Sequence, residues 1–226
     1  MGVFIAIEGG DGSGKGTQTE LICERLTRAG VDVLKLSFPR YGEESAEIVS
    51  NYLNGKYSDG NNLHPDIASL PFAIDRYAAK QQILDHLARK NTVVIADRYV
   101  ASNLAHQGAK LTDVTERQKF YNRISNIEFG ILQLPQPDVS FVLLVPSSIA
   151  QHNVDTKDTR KYTDKKRDIH EADADHLDRT KSNYEELAKL FPEQYTTINC
   201  MSDQTTMRSI EDINEDIWAH VQERIA

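Results

Sequence analysis

The stretch that most limits what this chain can become is Val3–Gln18, "VFIAIEGGDGSGKGTQ". Five apolar residues, Val3–Ile7, run directly into a glycine-rich loop, as a strand buried on both faces of a parallel sheet does. A helical pattern follows over Lys15–Ala29. It places Leu21, Ile22 and Leu26 on one side and stops at Gly30. Strand, glycine loop and helix in this order form an anion cradle: loop amides turn inward, and the helix N-terminus points at the anion. The nine loop positions are Gly9, Gly10, Asp11, Gly12, Ser13, Gly14, Lys15, Gly16 and Thr17. Gly9, Gly14 and Lys15 fit the pattern G-x-x-x-x-G-K-[ST], with Lys15 as a point charge for outer phosphates. The pattern then breaks, because Gly16 follows the lysine and the first hydroxyl comes one residue late, at Thr17. A tight turn without a ligand is the plain alternative.

The remaining pattern repeats the alternation. Strands are expected at Val31–Phe38, Thr92–Ala96, Val139–Val145 and Tyr195–Asn199. Helices are expected at Glu44–Leu53, from Pro65 to Arg89 with a kink at Pro71, at Ala172–Leu190 and at Met207–Ile225. Asp113 and Glu116 have capping-box spacing for a helix to about Leu134. Alternating strands and helices predict an α/β fold, a five-stranded parallel sheet with helices on both faces, as one domain over 1–226. In such sheets ligands sit at the carboxyl ends of the strands. Glu8–Thr17, Pro39-Arg40-Tyr41 and Asp97-Arg98-Tyr99 each follow a strand, so they converge on one edge.

Bulk properties exclude several classes. The 226 residues, 39% hydrophobic and 27% charged, suit a globular chain. No apolar run reaches the roughly 18–20 residues of a membrane helix. A net charge of −8 argues against nonspecific nucleic-acid or membrane binding. Cys23 and Cys200 are expected to be reduced thiols in a cytoplasmic protein.

Other constellations carry a chemical reading beside a plain one. Asp97 at a strand end can orient magnesium, and Arg98 can bridge phosphoryl groups; a structural ion pair is the alternative. With Gly16 in the loop, magnesium rests on water, phosphate oxygens and carboxylates elsewhere. Phe72 and Arg76, four apart, share a helical face suited to stacking a base and clamping a phosphate. Alone they read more simply as a core aromatic and a surface salt bridge to Asp75 or Asp85. The segment Asp155–Glu171 holds Lys157, Arg160, Lys161, Lys165, Lys166 and Arg167. It is either a solvated face or a short basic lid, about 153–170, closing over transferring phosphates.

Together these stretches resemble the thymidylate kinase family of P-loop nucleoside monophosphate kinases along nearly the whole chain. "IEGGDGSGKGTQ", "FPRYG", "LPFAIDR", "DRYVASNLAHQG" and "DIHEADADHLDRTKSNYEEL" carry the likeness. The resemblance implies transfer of the ATP γ-phosphoryl group to dTMP, giving dTDP, with Mg2+ as cofactor and a homodimer as the assembly. It implies that Lys15 and the loop amides hold ATP, and that Asp11 approaches the sugar 3′-hydroxyl. Phe72 stacks on thymine, with Asn103 near the base. Arg40, Arg76 and Arg98 surround the acceptor phosphate, with Pro39, Tyr41, Ser102, His106 and Gln107 in the same motifs. Asp97 and Glu171 place magnesium or its waters.

Three departures stand out. Gly16 gives a loop similar to that of adenylate kinase. Gly12 stands where some family members carry an arginine, so the charge must come from the lid, with Arg160, Lys161 and Lys165 as candidates. His106 replaces the tyrosine of "AYQG", which helps the family exclude a 2′-hydroxyl. A kinase of another nucleoside monophosphate or of a deoxynucleoside, and a regulatory protein that only hydrolyses or senses ATP, are the competing readings.

Overall fold

A computed structural model describes residues 2–57, 63–155 and 174–225. Arg160, Lys161, Lys165, Glu171 and most of the expected lid lie outside them. Five strands, β1 (Val3–Gly9), β2 (Asp32–Ser37), β3 (Thr92–Asp97), β4 (Val139–Leu144) and β5 (Tyr195–Asn199), form one sheet in the order β2-β3-β1-β4-β5. All pairings are parallel, with Ile5 opposite both Ile95 and Val139. The central strands are buried on both faces because residues of both parities are apolar. Phe4 and Ala6 pack toward one cluster with Val94, Ala96 and Val142, while Ile5 and Ile7 join Ile95, Phe141 and Leu143 in another.

The first cluster is covered by α3 (Pro65–Leu87), α4 (Val100–Gly108), α5 (Val114–Ser125) and α7 (Ala174–Leu190), which supply Ala79, Ile83, Leu104, Phe120, Tyr184 and Leu187. The second is covered by α1 (Lys15–Arg28), α6 (Ser147–Asp155) and α8 (Ile210–Ile225), through Ile22, Leu26, Ala150, Ile217 and Val221. The short α2 (Glu47–Leu53) packs Val49, Tyr52 and Leu53 near Phe72, away from the sheet.

The elements differ from the sequence expectation in four places. The helix begun at Asp113, whose side chain accepts from the Glu116 amide, leaves α geometry at Ser125 and continues as a π-helix over Asn126–Ile131. That wider turn carries the wholly buried Glu128. Two helices fall where none was expected. Short apolar-polar mixtures such as "VASNLAHQG" give α4 too little periodicity to stand out, and α6 opens the stretch that reads simply as polar. The terminal helix begins at Ile210, because Met207 instead bridges Met201 in antiparallel fashion.

Candidate active site

The carboxyl ends of β1, β2 and β3 open into a cleft of about 270 Å³. Its floor is the phosphate loop. Gly14 takes a left-handed φ of 90° that L side chains rarely adopt, and it lets α1 begin at Lys15 with no side-chain cap. The first amides of α1 therefore take no cap from a side chain at Gly14, and no acidic side chain lies in the first turn. Lys15 is buried, with Nζ donating to the Gly10 carbonyl at 2.7 Å.

Gly12 is fixed more tightly than its place in a loop suggests. It has φ 77°, and a Cβ there would lie 2.0 Å from the Ala150 carbonyl oxygen. Asn153 Nδ2 donates to the Gly12 carbonyl at 2.9 Å. The loop thus packs against α6, and that packing leaves no room for a side chain at position 12. Gly16 has more room, since a Cβ there would lie 3.6 Å from Asp97 Oδ2. A hydroxyl at position 16 would stand beside Asp97.

Asp97 and Arg98 are not an ion pair with each other. Arg98, in the left-handed region at φ 66°, turns its guanidinium back over the loop. Nη2 pairs with Asp11, while Nη1 donates to the Gly9 carbonyl at 3.1 Å and to Ser102 Oγ at 3.2 Å, and lies 3.2 Å from His106 Nε2. Burial alone would lower the guanidinium's pKa, but Asp11, Tyr184, Asp97 and Glu8 outweigh it and hold the charge. Asp97 Oδ1 is buried and lacks a hydrogen-bond partner among the described residues.

Beneath Arg98 sits Glu8, which sequence reading treated only as the edge of the loop. It is fully buried and accepts from the Tyr99 amide at 2.7 Å, Ser102 Oγ at 2.7 Å and the Tyr184 hydroxyl at 3.2 Å. Burial raises its carboxyl pKa, opposed by the Ser102 and Tyr99 hydrogen bonds and by Arg98 and Lys15. An acidic residue ending an apolar strand was the available signal.

The far wall is the expected acceptor side. Phe72, Arg76, Asn103, His106 and Gln107 line the cleft, as do Pro39 and Tyr41 from the turn after β2, where the Phe38–Pro39 bond is cis. Arg40, expected beside the acceptor phosphate, is not among the residues that line the cleft. Its Nε donates to Asp75 Oδ1 at 3.1 Å and its Nη2 to Ser45 Oγ at 2.8 Å, so the buried Asp75 holds it off the cleft lining. Arg76 is no surface residue and pairs with neither Asp75 nor Asp85. Its Nε and Nη2 form a two-point pair with Glu128 at 2.6 and 2.7 Å, both side chains being at most 2% exposed. Burial opposes the Arg76 charge, and Glu128 more than restores it.

The family model for thymidylate kinase matches residues 7–217. The chain belongs to the thymidylate kinase family. It is 38% identical over 187 residues to the thymidylate kinase of Mycobacterium tuberculosis, covering 82% of this chain and 86% of that one. It is 30% identical over 224 residues to the probable thymidylate kinase of Pyrococcus horikoshii, covering 99% and 98%. Among solved structures, thymidylate kinase from Candida albicans superposes with TM-score 0.68 at 23% identity, over 99% of this chain and 92% of that one. The enzyme from Ehrlichia chaffeensis gives 0.67 at 23%, over 98% and 99%. These two likenesses establish the P-loop fold. Membership of the family makes the chain a nucleoside monophosphate kinase that phosphorylates dTMP to dTDP with ATP as donor.

Proposed function

We propose that the cleft aligns the ATP γ-phosphoryl group with the dTMP phosphate, donor on the loop side and acceptor on the α3–α4 side. One observation carries this: Lys15 and Gly14 share a single cleft with Phe72, Arg76 and Asn103, with Arg98 also in its lining. Lys15 and the open α1 amides hold the donor phosphates. Arg98 meets the phosphates where they join, exchanging part of its contact with Asp11 for phosphate oxygen. Phe72 offers its ring to the base. Phosphoryl transfer asks for alignment and charge stabilisation and little else.

Mg2+ fits the residues present. The unpartnered Asp97 oxygen is the hard ligand such an ion takes, with water and phosphate completing its shell. Among the described residues no three His, Cys, Asp or Glu side chains gather to bind a metal unaided. Bound magnesium would supply charge neutralisation between the phosphates. The lid residues Arg160, Lys161, Lys165 and Glu171 retain their proposed roles from the resemblance alone.

We also propose a homodimer formed through α3. Ile67, Leu70, Ile74 and Tyr77 are exposed at helical spacing along one of its faces. In sedimentation, Ile74→Lys should shift the protein to monomer; an unchanged dimer would place the interface elsewhere. The free thiols Cys23 and Cys200 suit the proposed cytoplasmic location.

A coupled assay over dTMP, dUMP, dCMP and AMP tests the acceptor. Fastest turnover with dTMP is expected, and faster turnover of another monophosphate would overturn it. ATP binding without any melting shift from a monophosphate would favour the ATP-sensing reading.

A further inference from the structure

Glu128 does not line the cleft, yet it holds two residues that do. Its Oε1 accepts from Arg76 Nη2 at 2.7 Å and from Asn103 Nδ2 at 2.9 Å; its Oε2 accepts from Arg76 Nε at 2.6 Å. Asn103 Nδ2 gives its second hydrogen to the Ser69 carbonyl at 3.1 Å. Both partners of that amide nitrogen are pure acceptors. Flipping the amide would set its oxygen against a carboxylate and a carbonyl in a buried site, an arrangement no hydrogen bond relieves. Asn103 Oδ1 is therefore fixed as an acceptor, and it has no hydrogen-bond partner among the described residues. Arg76 can only donate. Three of its five N–H groups are committed, two to Glu128 and one at 3.4 Å to the Tyr99 carbonyl.

We propose that Glu128 is a positioning residue that sets the hydrogen-bonding polarity of the base end of the cleft, and so the choice between pyrimidines. By locking Asn103 as an acceptor beside the donor Arg76, it favours an edge that presents a ring N–H next to a carbonyl. Thymine and uracil present that edge at N3 and O4. Cytosine presents the reverse, a ring-nitrogen acceptor beside an amino group, and would leave buried groups facing like groups. This assigns Arg76 to the base edge, where the resemblance placed it at the acceptor phosphate. The shared Glu128 oxygen is the reason, since it makes Arg76 and Asn103 one unit. The inference rests on the acceptor being a pyrimidine nucleotide bound in this cleft.

The test is the ratio of kcat/KM for dTMP to that for dCMP, a quantity independent of the folded fraction. Wild-type enzyme should prefer dTMP; if it does not, the acceptor reading fails before Glu128 is reached. In Glu128→Gln the carboxamide can donate to a flipped Asn103, so the lock loosens while the Ser69 carbonyl still opposes the flip. The ratio should fall by about tenfold, chiefly through KM for dTMP, the order of one mispaired buried hydrogen bond. Glu128→Asp keeps the charge facing Arg76 and draws it back from Asn103, and should shift the ratio in the same direction with better folding. A parallel loss with both substrates at constant ratio, in either variant, would reduce Glu128 to a structural role and overturn the proposal. On the wild-type protein, the Asn103 side-chain amide hydrogens should be protected from exchange with and without dTMP; free exchange would refute the lock whatever the variants do.

Discussion

At the loop end of the cleft, the proposed donor side, the lining is one continuous run of backbone, from which Asp11, Gly12, Gly14, Lys15 and Gly16 face it, with Lys15 as the cation of that run. At the opposite end, the proposed acceptor side, the lining is side chains drawn from α3 and α4, with Arg76 and Asn103 held by a carboxylate on the π-helix. The loop end offers peptide groups that every sequence possesses, so its identity lies in where glycines permit the turn. The opposite end offers buried, mutually paired side chains, so its proposed function and its stability depend on the same residues. A substitution at the donor end should therefore separate rate from stability, and one at the acceptor end should not.

The sharpest test of that contrast is Arg76→Ala, which leaves Glu128 buried without its cation. A loss of about 3–5 kcal/mol of stability is expected along with weakened dTMP binding. Retained stability in denaturant unfolding would show that the acceptor wall is not coupled to the fold. Lys15→Ala is the counterpart. It should lower kcat by about 10²–10³-fold, the order for one preorganised charge at a transition state, with a much smaller change in unfolding free energy. Near-normal turnover would remove Lys15 from the donor site.

Gly12→Ala probes the one place where the donor end is also locked into tertiary packing. The added Cβ meets the Ala150 carbonyl, and φ is left-handed. A loss of about 1–3 kcal/mol is expected. An unaffected protein would mean that α6 yields freely and that Gly12 is not what bars a larger side chain.

The smallest effect concerns Glu8, which underlies both ends through Tyr99, Ser102 and Tyr184. Its folded pKa lies above the ordinary value of 4.5, so the folded state binds its proton more tightly than the unfolded state does. Its contribution is then fullest below 4.5 and is lost as pH rises through the raised value. The stability of wild type relative to Glu8→Gln should decline as pH rises from about 4.5 toward neutrality. A difference that grows with pH would reverse the assigned shift.

Legibility in the sequence followed the same division. The loop, the five strands and their parallel pairing were readable because each strand and its crossover helix is a contiguous pattern, whereas the order of the strands in the sheet was not. Asp97-Arg98 and Phe72…Arg76 were readable as candidates because they stand at a strand end or four apart on a helix. Their partners were not. Arg98 pairs with Asp11, 87 positions away, and Arg76 with Glu128, 52 positions away. Glu128 sits in "NIEFGI", four residues after the buried Ile124 and seven after the buried Tyr121, so helical spacing places it on the inward face, but the partner that tolerates a carboxylate there is 52 positions away.

The sequence by itself determined that this chain is an α/β phosphate-binding protein with its motifs on one sheet edge. Glycine placement and apolar periodicity are local, and they act before any distant contact forms. The tertiary structure alone decided which charges remain available to a ligand. Arg40 is taken by Asp75, Arg76 is aimed by Glu128, and Gly12 is sealed by Ala150, because buried charges must find partners and packed backbones leave no room, wherever along the chain those neighbours lie.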